Sequence, residues 1–160
     1  MNPYLIKEPT IISFSGGRTS GYMLWKVLQA HGGKLPAEAK VCFANTGKED
    51  ELTLKFVNDC ATNWNVDIIW LEFRDNEQKF EVVTYENASR NGEPFEALIR
   101  KRKFLPNPTA RFCTVELKVR TIHRYLKSIG IEFVRMNKGD WLKLTIMIMV
   151  SNGKNQHRLV

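Results

Sequence analysis

The sequence lacks the paired cysteines that mark a structural zinc site or a dithiol redox couple. Its three cysteines, Cys42, Cys60 and Cys113, lie far apart, and no CxxC pattern is present. Because cytosolic thiols are normally reduced and often buried, we interpret Cys42 as a strand core residue and Cys60 as a helix core residue. Cys113 differs from both because Arg111 precedes it by two positions.

Long apolar runs are missing as well. A membrane-spanning helix needs roughly 20 apolar residues, whereas the longest apolar candidate here, Leu144 to Val150, has the length of a strand. The first ten residues contain Lys7, Glu8 and two prolines, so they lack the apolar core of a secretory signal. We therefore expect a cytoplasmic protein with no membrane partner.

A net excess of positive charge is missing outside one segment. The chain has a formal charge of +7, from 24 basic and 17 acidic residues. Residues 100–127 contain nine of the basic residues and one acid, Glu116, which leaves 15 basic and 16 acidic residues elsewhere. A single basic segment suits an anionic ligand or one docking face. Few aromatic residues interleave with it, so nucleic acid is the less favoured partner.

What the sequence does contain is an alternation of strand and helix patterns within one expected domain, residues 1–160. Short β-branched or apolar runs predict strands at 10–14, 40–44 and 66–73. Helical spacing of apolar residues predicts helices at 19–31 and 50–64. Strands and helices that alternate over short connections indicate right-handed crossovers. We therefore expect a three-layer α/β fold with a mostly parallel, Rossmann-like sheet.

Beyond residue 73 the pattern is less regular. Helices are predicted at 94–103 and 114–129 and a strand at 142–150, while 80–85 fits either a strand or part of an insertion. The last helix has an apolar stripe made of Val115, Val119, Ile122, Leu126 and Ile129. In the earlier helices, Trp25 and Leu52 are assigned to the core faces.

The first predicted strand runs directly into the loop Ser15-Gly16-Gly17-Arg18-Thr19-Ser20 and then into a helix. Glycines permit a sharp turn with exposed N–H groups, and a helix N-terminus adds free donors. The hydroxyls and the guanidinium can also bind phosphate oxygens. The loop fits neither GxxxxGK[ST] nor GxGxxG, and the alternative is a plain turn in which Thr19 or Ser20 caps the helix. Its position after the first strand of an α/β pattern favours phosphate binding.

Three segments, in order, resemble a known superfamily. SGGRTS resembles the SGGxDS-type PP-loop of the adenine nucleotide alpha hydrolase-like proteins, which include N-type ATP pyrophosphatases and phosphoadenosine phosphosulfate (PAPS) reductases. Residues 43–47 (FANTG) and 53–57 (TLKFV) are similar to the second strand ending in [DN]TG and to the helix that follows it. Residues 111–114 (RFCT) and 117–119 (LKV) are similar to the CT..LK segment of PAPS reductase-like proteins, including phage-borne ones. The resemblance covers residues 11–131.

The resemblance implies roles for the matching residues. Those of loop 15–20 would hold phosphate or sulfate oxygens, and Asn45, Thr46 and Gly47 would lie beside the nucleotide. Arg111 and Lys118 would supply positive charge to the distal anion. The implied ligand is ATP, adenosine phosphosulfate (APS) or PAPS, and Mg²⁺ is compatible with it. Farther along the last helix, a solvated face is expected for Arg120, Arg124 and Lys127.

The chain also departs from the family pattern. Thr19 stands where SGGxDS has an acid, so this loop does not offer that carboxylate. Phe112-Cys113 stands where cluster-containing reductases have a Cys-Cys pair, and no CxxC follows, so an iron–sulfur cluster is not supported. The ECGLH-like tail of cluster-free reductases has no counterpart. Residues 133–160 are therefore an atypical or truncated C-terminus relative to the family.

Cys113 and Lys118 are the candidate catalytic residues. Arg111 and the predicted helix start near Thr114 favour a thiolate at Cys113, although a buried cysteine or one at the helix cap is the alternative. The expected activity is that of a PAPS reductase-like oxidoreductase or a PP-loop ATP pyrophosphatase-type transferase, and a reductase would need a thioredoxin-like reductant. A nucleotide-binding module without turnover is the main alternative, and a nucleic-acid binder using residues 100–127 is the second. The true substrate and the oligomeric state stay open.

Overall fold

The computed structural model describes residues 2–107, 112–131 and 146–148, which fold around one five-stranded sheet. The strands are β1 (Thr10–Ser13), β2 (Ala39–Asn45), β3 (Ile68–Glu72), β4 (Glu81–Val83) and β5 (Ile146–Ile148). The helices are α1 (Arg18–Ala30), α2 (Glu51–Trp64), α3 (Glu93–Arg102), α4 (Phe112–Thr114) and α5 (Arg120–Ser128), and a π-helical segment, Val115–Val119, joins α4 to α5. The atypical C-terminus, residues 133–160, lies outside the described residues except for β5.

The sheet has the strand order β4-β3-β2-β1-β5. The three central strands are parallel, with Ile12 opposite Val41 and Phe43 opposite Trp70. Both edge strands, β4 and β5, run antiparallel to their neighbours. The α/β prediction is therefore confirmed, and the parallel part of the sheet is its centre. As a result, the carboxyl ends of β1, β2 and β3 meet at one edge, where ligands of open α/β sheets bind.

Helices cover both faces of the sheet, which confirms the three layers. Ile12, Val41 and Phe43 face the core that α1 and α2 complete with residues such as Leu24 and Val57. The alternate strand residues face a second core completed by α5, made of Ile11, Cys42, Ala44, Leu71, Phe80, Ile122 and Leu126. This separation follows from strand geometry, in which successive side chains point to opposite faces.

The predicted core cysteines are buried. Cys42 lies in the middle of β2 with no exposed surface, and Cys60 lies on the inner face of α2 with 4% exposed. Burial raises the pKa of the Cys42 thiol to about 12, and it also raises the pKa of Cys60. Both thiols therefore stay protonated near neutral pH, as expected for cysteines that act as small apolar core residues.

Local signals account for the helix bounds in the first half. Asp50 caps α2, since its side chain accepts a hydrogen bond of 2.8 Å from the backbone N–H of Leu52. Asn65 ends the same helix in a left-handed conformation with φ of 51°. No helix within the described ranges combines the length and the apolar character needed to span a bilayer.

The predicted faces of the helices are wrong at four positions. Trp25 and Leu52 were expected in the core, but 37% and 75% of their surfaces are exposed. In the last helix Val115 and Ile129 are also exposed, at 37% and 43%, while Leu117 is buried instead. The π-helical segment explains the exposure of Val115, because its wider turn moves the buried face away from a constant 3.6-residue period. Ile129 lies just past the end of α5, where helical spacing no longer applies.

Candidate functional site

The loop between β1 and α1 lies at the carboxyl edge of the sheet, as the sequence predicted. Gly17 is the N-cap residue of α1, and no side chain caps the helix through a hydrogen bond. Ser15, Arg18 and Thr19 are exposed. The alternative in which Thr19 or Ser20 caps the helix is therefore not what the structure shows.

The backbone donors of this loop have no acceptor among the residues that the structure describes. Within the described ranges, the N–H groups of residues 16 to 20 form no hydrogen bond, whereas Gly21 donates to the carbonyl of Gly17 at 3.0 Å. Ser15 Oγ donates to Ser20 Oγ at 3.0 Å, and Ser20 Oγ donates to the Gly17 carbonyl at 2.8 Å. The hydroxyl of Ser20 thus connects Ser15 to the Gly17 carbonyl within the turn. The free N–H groups and the positive end of α1 remain available to an anion.

Two glycines let this loop and α1 lie close to α2. Gly16 has φ of +77°, and a Cβ built there would lie 2.7 Å from Thr53 Cγ2. A Cβ on Gly21 would lie 2.8 Å from the ring of Phe56. Both contact residues belong to the 53–57 segment that resembles the superfamily helix. The structure therefore gives that segment a physical role, which is to fix the position of the loop.

Asn45 is fully buried at the end of β2, and its side chain is occupied by the protein. Nδ2 donates to Glu72 Oε1 at 2.7 Å and to the carbonyl of Ser89 at 2.8 Å. Oδ1 accepts from the backbone N–H of Gly47 at 3.1 Å. Asn45 thus lies beside the predicted site, and both of its N–H donors are used to shape the turn. Of the other two residues of this segment, Thr46 is half-buried, whereas Gly47 is buried with φ of +75° and lies against Gly92 and Pro94.

Glu72 links the end of β3 to Asn45 and Ser89, and the sequence analysis did not identify it as part of the site. It is fully buried at the end of β3. Its carboxylate accepts from the backbone N–H and the hydroxyl of Ser89, both at 2.7 Å, and it pairs with Arg74 at 2.7 Å. Together with Asn45, these contacts join the ends of β2 and β3 to the segment around residue 89. An acid that closes a predicted buried strand was the available signal, since buried carboxylates are almost always paired.

Lys118 and Thr46 meet at a second carboxylate, Glu49. Lys118 Nζ lies 3.2 Å from Glu49 Oε1, and Thr46 Oγ1 donates to the same oxygen at 3.1 Å. The side chains of Lys118 and Glu49 are 37% and 20% exposed. The structure therefore brings Lys118 close to the turn that follows β2. It also shows that an acid of the same chain already neutralises this lysine.

Cys113 lies in the first turn of α4 and packs beside Phe73, Leu98 and Leu117. It is a free, half-buried cysteine. Because Phe73 directly follows β3, Cys113 lies at the same sheet edge as loop 15–20 and Asn45. Arg111, the other predicted anion-binding residue of the segment, lies outside the described residues.

The basic segment is organised around its single acid. Glu116 is 5% exposed and pairs with Arg102, Arg120 and Arg124. Burial alone raises the pKa of Glu116, but the hydrogen bond from Arg102 and the charges of Arg120 and Arg124 outweigh it, so the pKa is below its ordinary value. Arg120 and Lys127 are exposed, as expected, although Arg120 also pairs with Glu116. Arg124 is only half-buried and pairs with the same carboxylate, so it is less solvated than expected. The isolated acid in the basic segment was the sequence signal for this cluster.

A pocket of about 320 Å³ lies at the opposite edge of the sheet. It is lined at the amino ends of β2 and β3 by residues that include Lys34, Lys40 and Asp67. This position is remote from the free N–H groups of the loop. The candidate site is therefore defined by the convergence of residues at the carboxyl edge.

Comparisons with known proteins give one relative among curated sequences. The chain is 28% identical over 140 residues to the uncharacterized nin region protein ORF290 of Escherichia phage lambda. The alignment covers 82% of this chain and 46% of that protein, so the chain spans about half the length of the relative. No family model and no solved structure matches the chain.

Proposed function

We propose that this chain binds an adenine nucleotide and seats its phosphate or sulfate oxygens on loop 15–20. The observation that carries the proposal is the set of backbone N–H groups, residues 16 to 20, that have no acceptor within the described ranges and start α1 at the sheet's carboxyl edge. Such an arrangement binds anions through fixed donors and the helix dipole. The exposed guanidinium of Arg18 adds a charge-assisted contact.

We further propose that the fold is the Rossmann-like fold of the PP-loop superfamily and that the chain is PAPS reductase-like. The support is the order of the SGGRTS, NTG and CT..LK segments, together with their convergence at one edge. Cys113 and Lys118 belong to the late segment and lie near the ends of β3 and β2. Sulfonucleotide reduction and PP-loop ATP pyrophosphatase chemistry both act at the phosphate or sulfate end of the ligand. A relative from a phage is consistent with the phage-borne members of the group.

A polynucleotide ligand is less well supported. Three arginines of the basic segment, Arg102, Arg120 and Arg124, converge on the buried Glu116. Glu116 offsets one of these three charges and fixes the positions of the guanidinium groups, so they contribute less to binding the phosphates of a nucleic-acid backbone. A strongly salt-dependent affinity for random oligonucleotides would nevertheless favour that function.

Thermal-shift measurements with AMP, ATP, APS and PAPS test the proposed ligand class directly. A ligand that binds only the folded chain raises the melting temperature, by an amount that grows with concentration above the Kd. We expect stabilisation by at least one of these nucleotides and none by adenosine, which lacks the anion. Equal shifts with adenosine and the nucleotides would contradict phosphate binding by the loop.

Replacing Arg18 by Ala is expected to weaken nucleotide binding by about tenfold, because a hydrogen bond to a charged group contributes about 1.5 to 3 kcal/mol. Isothermal titration calorimetry measures the change. Lys34→Ala is the matched control, since it removes one positive charge at the opposite edge of the sheet. If both variants lose the same affinity, the effect is one of net charge and the loop is not the binding site.

Turnover is tested separately from binding. If the chain is a reductase, we expect it to release sulfite from PAPS in the presence of reduced thioredoxin. Cys113→Ser should then abolish sulfite release, because the exchange of sulfur for oxygen removes the nucleophile. The nucleotide affinity of this variant should stay within about twofold of the natural chain. Nucleotide binding without sulfite release from PAPS or pyrophosphate release from ATP would favour the binding module. Unchanged sulfite release in Cys113→Ser would exclude this thiol as the nucleophile.

A further inference from the structure

The carboxylate of Glu49 lies between β2 and the π-helical segment and holds both together. One of its oxygens accepts from Thr46 Oγ1 at 3.1 Å and from Lys118 Nζ at 3.2 Å. The hydroxyl of Thr46 also accepts from the backbone N–H of Lys48 at 3.3 Å, which fixes the turn that carries Glu49. With 20% of its side chain exposed, Glu49 is only partly screened by water.

This ion pair and the loop that is proposed to seat the nucleotide lie at the same edge of the sheet. Glu49 precedes α2, and Thr53 in the first turn of that helix is the residue against which Gly16 packs. The loop 15–20 and the Glu49 turn therefore share the start of α2 as a common support. An anion that extends from the loop toward the end of β2 would meet Lys118 and Glu49 together.

We infer that Glu49 sets the charge of the ligand that the site accepts, by neutralising Lys118 in the free protein. This inference rests on the proposed function and adds a specificity-determining residue to it. A nucleotide with a single phosphate on the loop does not need Lys118 and is little affected by Glu49. A nucleotide with a second anionic group has to replace Glu49 at Lys118, and it then lies beside an unpaired carboxylate. The pair therefore reduces the advantage of the more highly charged ligand.

Calorimetric titrations of four proteins with AMP, ATP and inorganic pyrophosphate test this inference. The proteins are the natural chain, Glu49→Gln, Lys118→Met and the double variant. Glu49→Gln is expected to bind ATP and pyrophosphate about five- to tenfold more tightly, a factor at the lower end of those typical for energetic coupling between two sites. Its affinity for AMP should change by less than about twofold. Lys118→Met alone leaves Glu49 unpaired and should weaken the binding of ATP and pyrophosphate. In the Glu49→Gln background, Lys118→Met should remove the whole gain. Glu51→Gln is the control, because it removes a nearby carboxylate that pairs with Arg90 and not with Lys118.

The outcomes separate this inference from the proposed function. Equal gains for AMP and ATP, or equal gains in Glu49→Gln and Glu51→Gln, would overturn the inference while nucleotide binding stands. A loss of ATP affinity in Glu49→Gln would also overturn it, since the carboxylate would then be holding Lys118 or a cation in place for the ligand. A gain for pyrophosphate without binding of either nucleotide would support the role of Glu49 and contradict the adenine-nucleotide proposal. No binding of any ligand by any variant would contradict both.

Discussion

Asn45→Asp should destabilise the folded protein by about 3 to 5 kcal/mol at pH 7 to 8, a cost comparable to that of leaving a buried charge without its partner. The substitution exchanges the Nδ2 donor for an oxygen. That oxygen would face Glu72 Oε1, which lies 2.7 Å from Nδ2 in the natural chain, and the Ser89 carbonyl at 2.8 Å. Because Asn45 and Glu72 are both fully buried, water cannot screen the two carboxylates from each other. Urea unfolding monitored by circular dichroism measures the loss of free energy.

The cost of Asn45→Asp should depend on pH in a defined direction. Two carboxylates that share a buried site cannot both ionise, so the folded pKa of one of them is raised above its unfolded value of about 4. A raised folded pKa contributes stability that is present below the unfolded pKa and is lost as the pH rises through the folded pKa. The variant should therefore approach the stability of the natural chain near pH 4 to 5 and differ most from it above pH 7.

Two further variants test whether the loss of stability comes from repulsion between the carboxylates at positions 45 and 72. Asn63→Asp adds the same charge at an exposed position of α2 and should change the stability by no more than about 0.5 kcal/mol. Asn45→Asp combined with Glu72→Gln restores one donor facing one acceptor and should recover part of the loss. Equal stability of Asn45→Asp and Asn63→Asp at pH 8 would mean that residue 45 does not face Glu72 in the folded protein.

The first half of the fold could be predicted because its signals are local. Short apolar runs marked β1, β2 and β3, and the helical spacing of apolar residues marked α1 and α2. The position of loop 15–20 followed from the same alternation, since a loop after the first parallel strand has to lie at the carboxyl edge. These predictions needed no information about which residues meet across the fold.

The corner built by Asn45 and Glu72 depends on contacts between distant parts of the chain. Glu72 is 27 residues from Asn45 and 17 from Ser89, so no sequence window contains the arrangement. The resemblance implied that Asn45 lies beside the nucleotide, and the structure shows that its side-chain donors are used to hold the turn. An acid at the end of a buried strand indicates that a partner exists, but it does not say which residue the partner is.

Periodicity failed in the last helix for a physical reason. A constant 3.6-residue repeat placed Val115 on the buried stripe, whereas Val115 is exposed and Leu117 is buried. The π-helical segment Val115–Val119 has a wider turn, and Thr121 Oγ1 donates to the carbonyl of Glu116, five residues earlier, at 2.9 Å. This change of register turns Glu116 and Leu117 inward. A pattern with one fixed period cannot represent it.

Gly16→Ala should destabilise the protein by about 2 to 5 kcal/mol, the sum of a left-handed backbone cost of about 1 to 2 kcal/mol and an overpacking cost of about 1 to 3 kcal/mol. The φ of +77° is a conformation that residues with a Cβ rarely adopt, and the added methyl would lie 2.7 Å from Thr53 Cγ2 and 3.1 Å from Val57 Cγ2. Nucleotide binding should weaken in parallel, because the loop has to move away from α2 to make room. Urea unfolding and calorimetry measure the two effects.

Gly32→Ala is a matched control for the backbone cost alone. Gly32 has φ of +68°, and a Cβ built there has nothing within 4 Å. Gly32→Ala should be destabilised only by the cost of the left-handed backbone, about 1 to 2 kcal/mol, and should keep its nucleotide affinity. Thr53→Ser removes the Cγ2 that causes the shortest contact, so Gly16→Ala with Thr53→Ser should recover part of the overpacking cost. If Gly16→Ala and Gly32→Ala are equally stable, the loop is not packed against α2, and the fixed position of its N–H groups has no structural support.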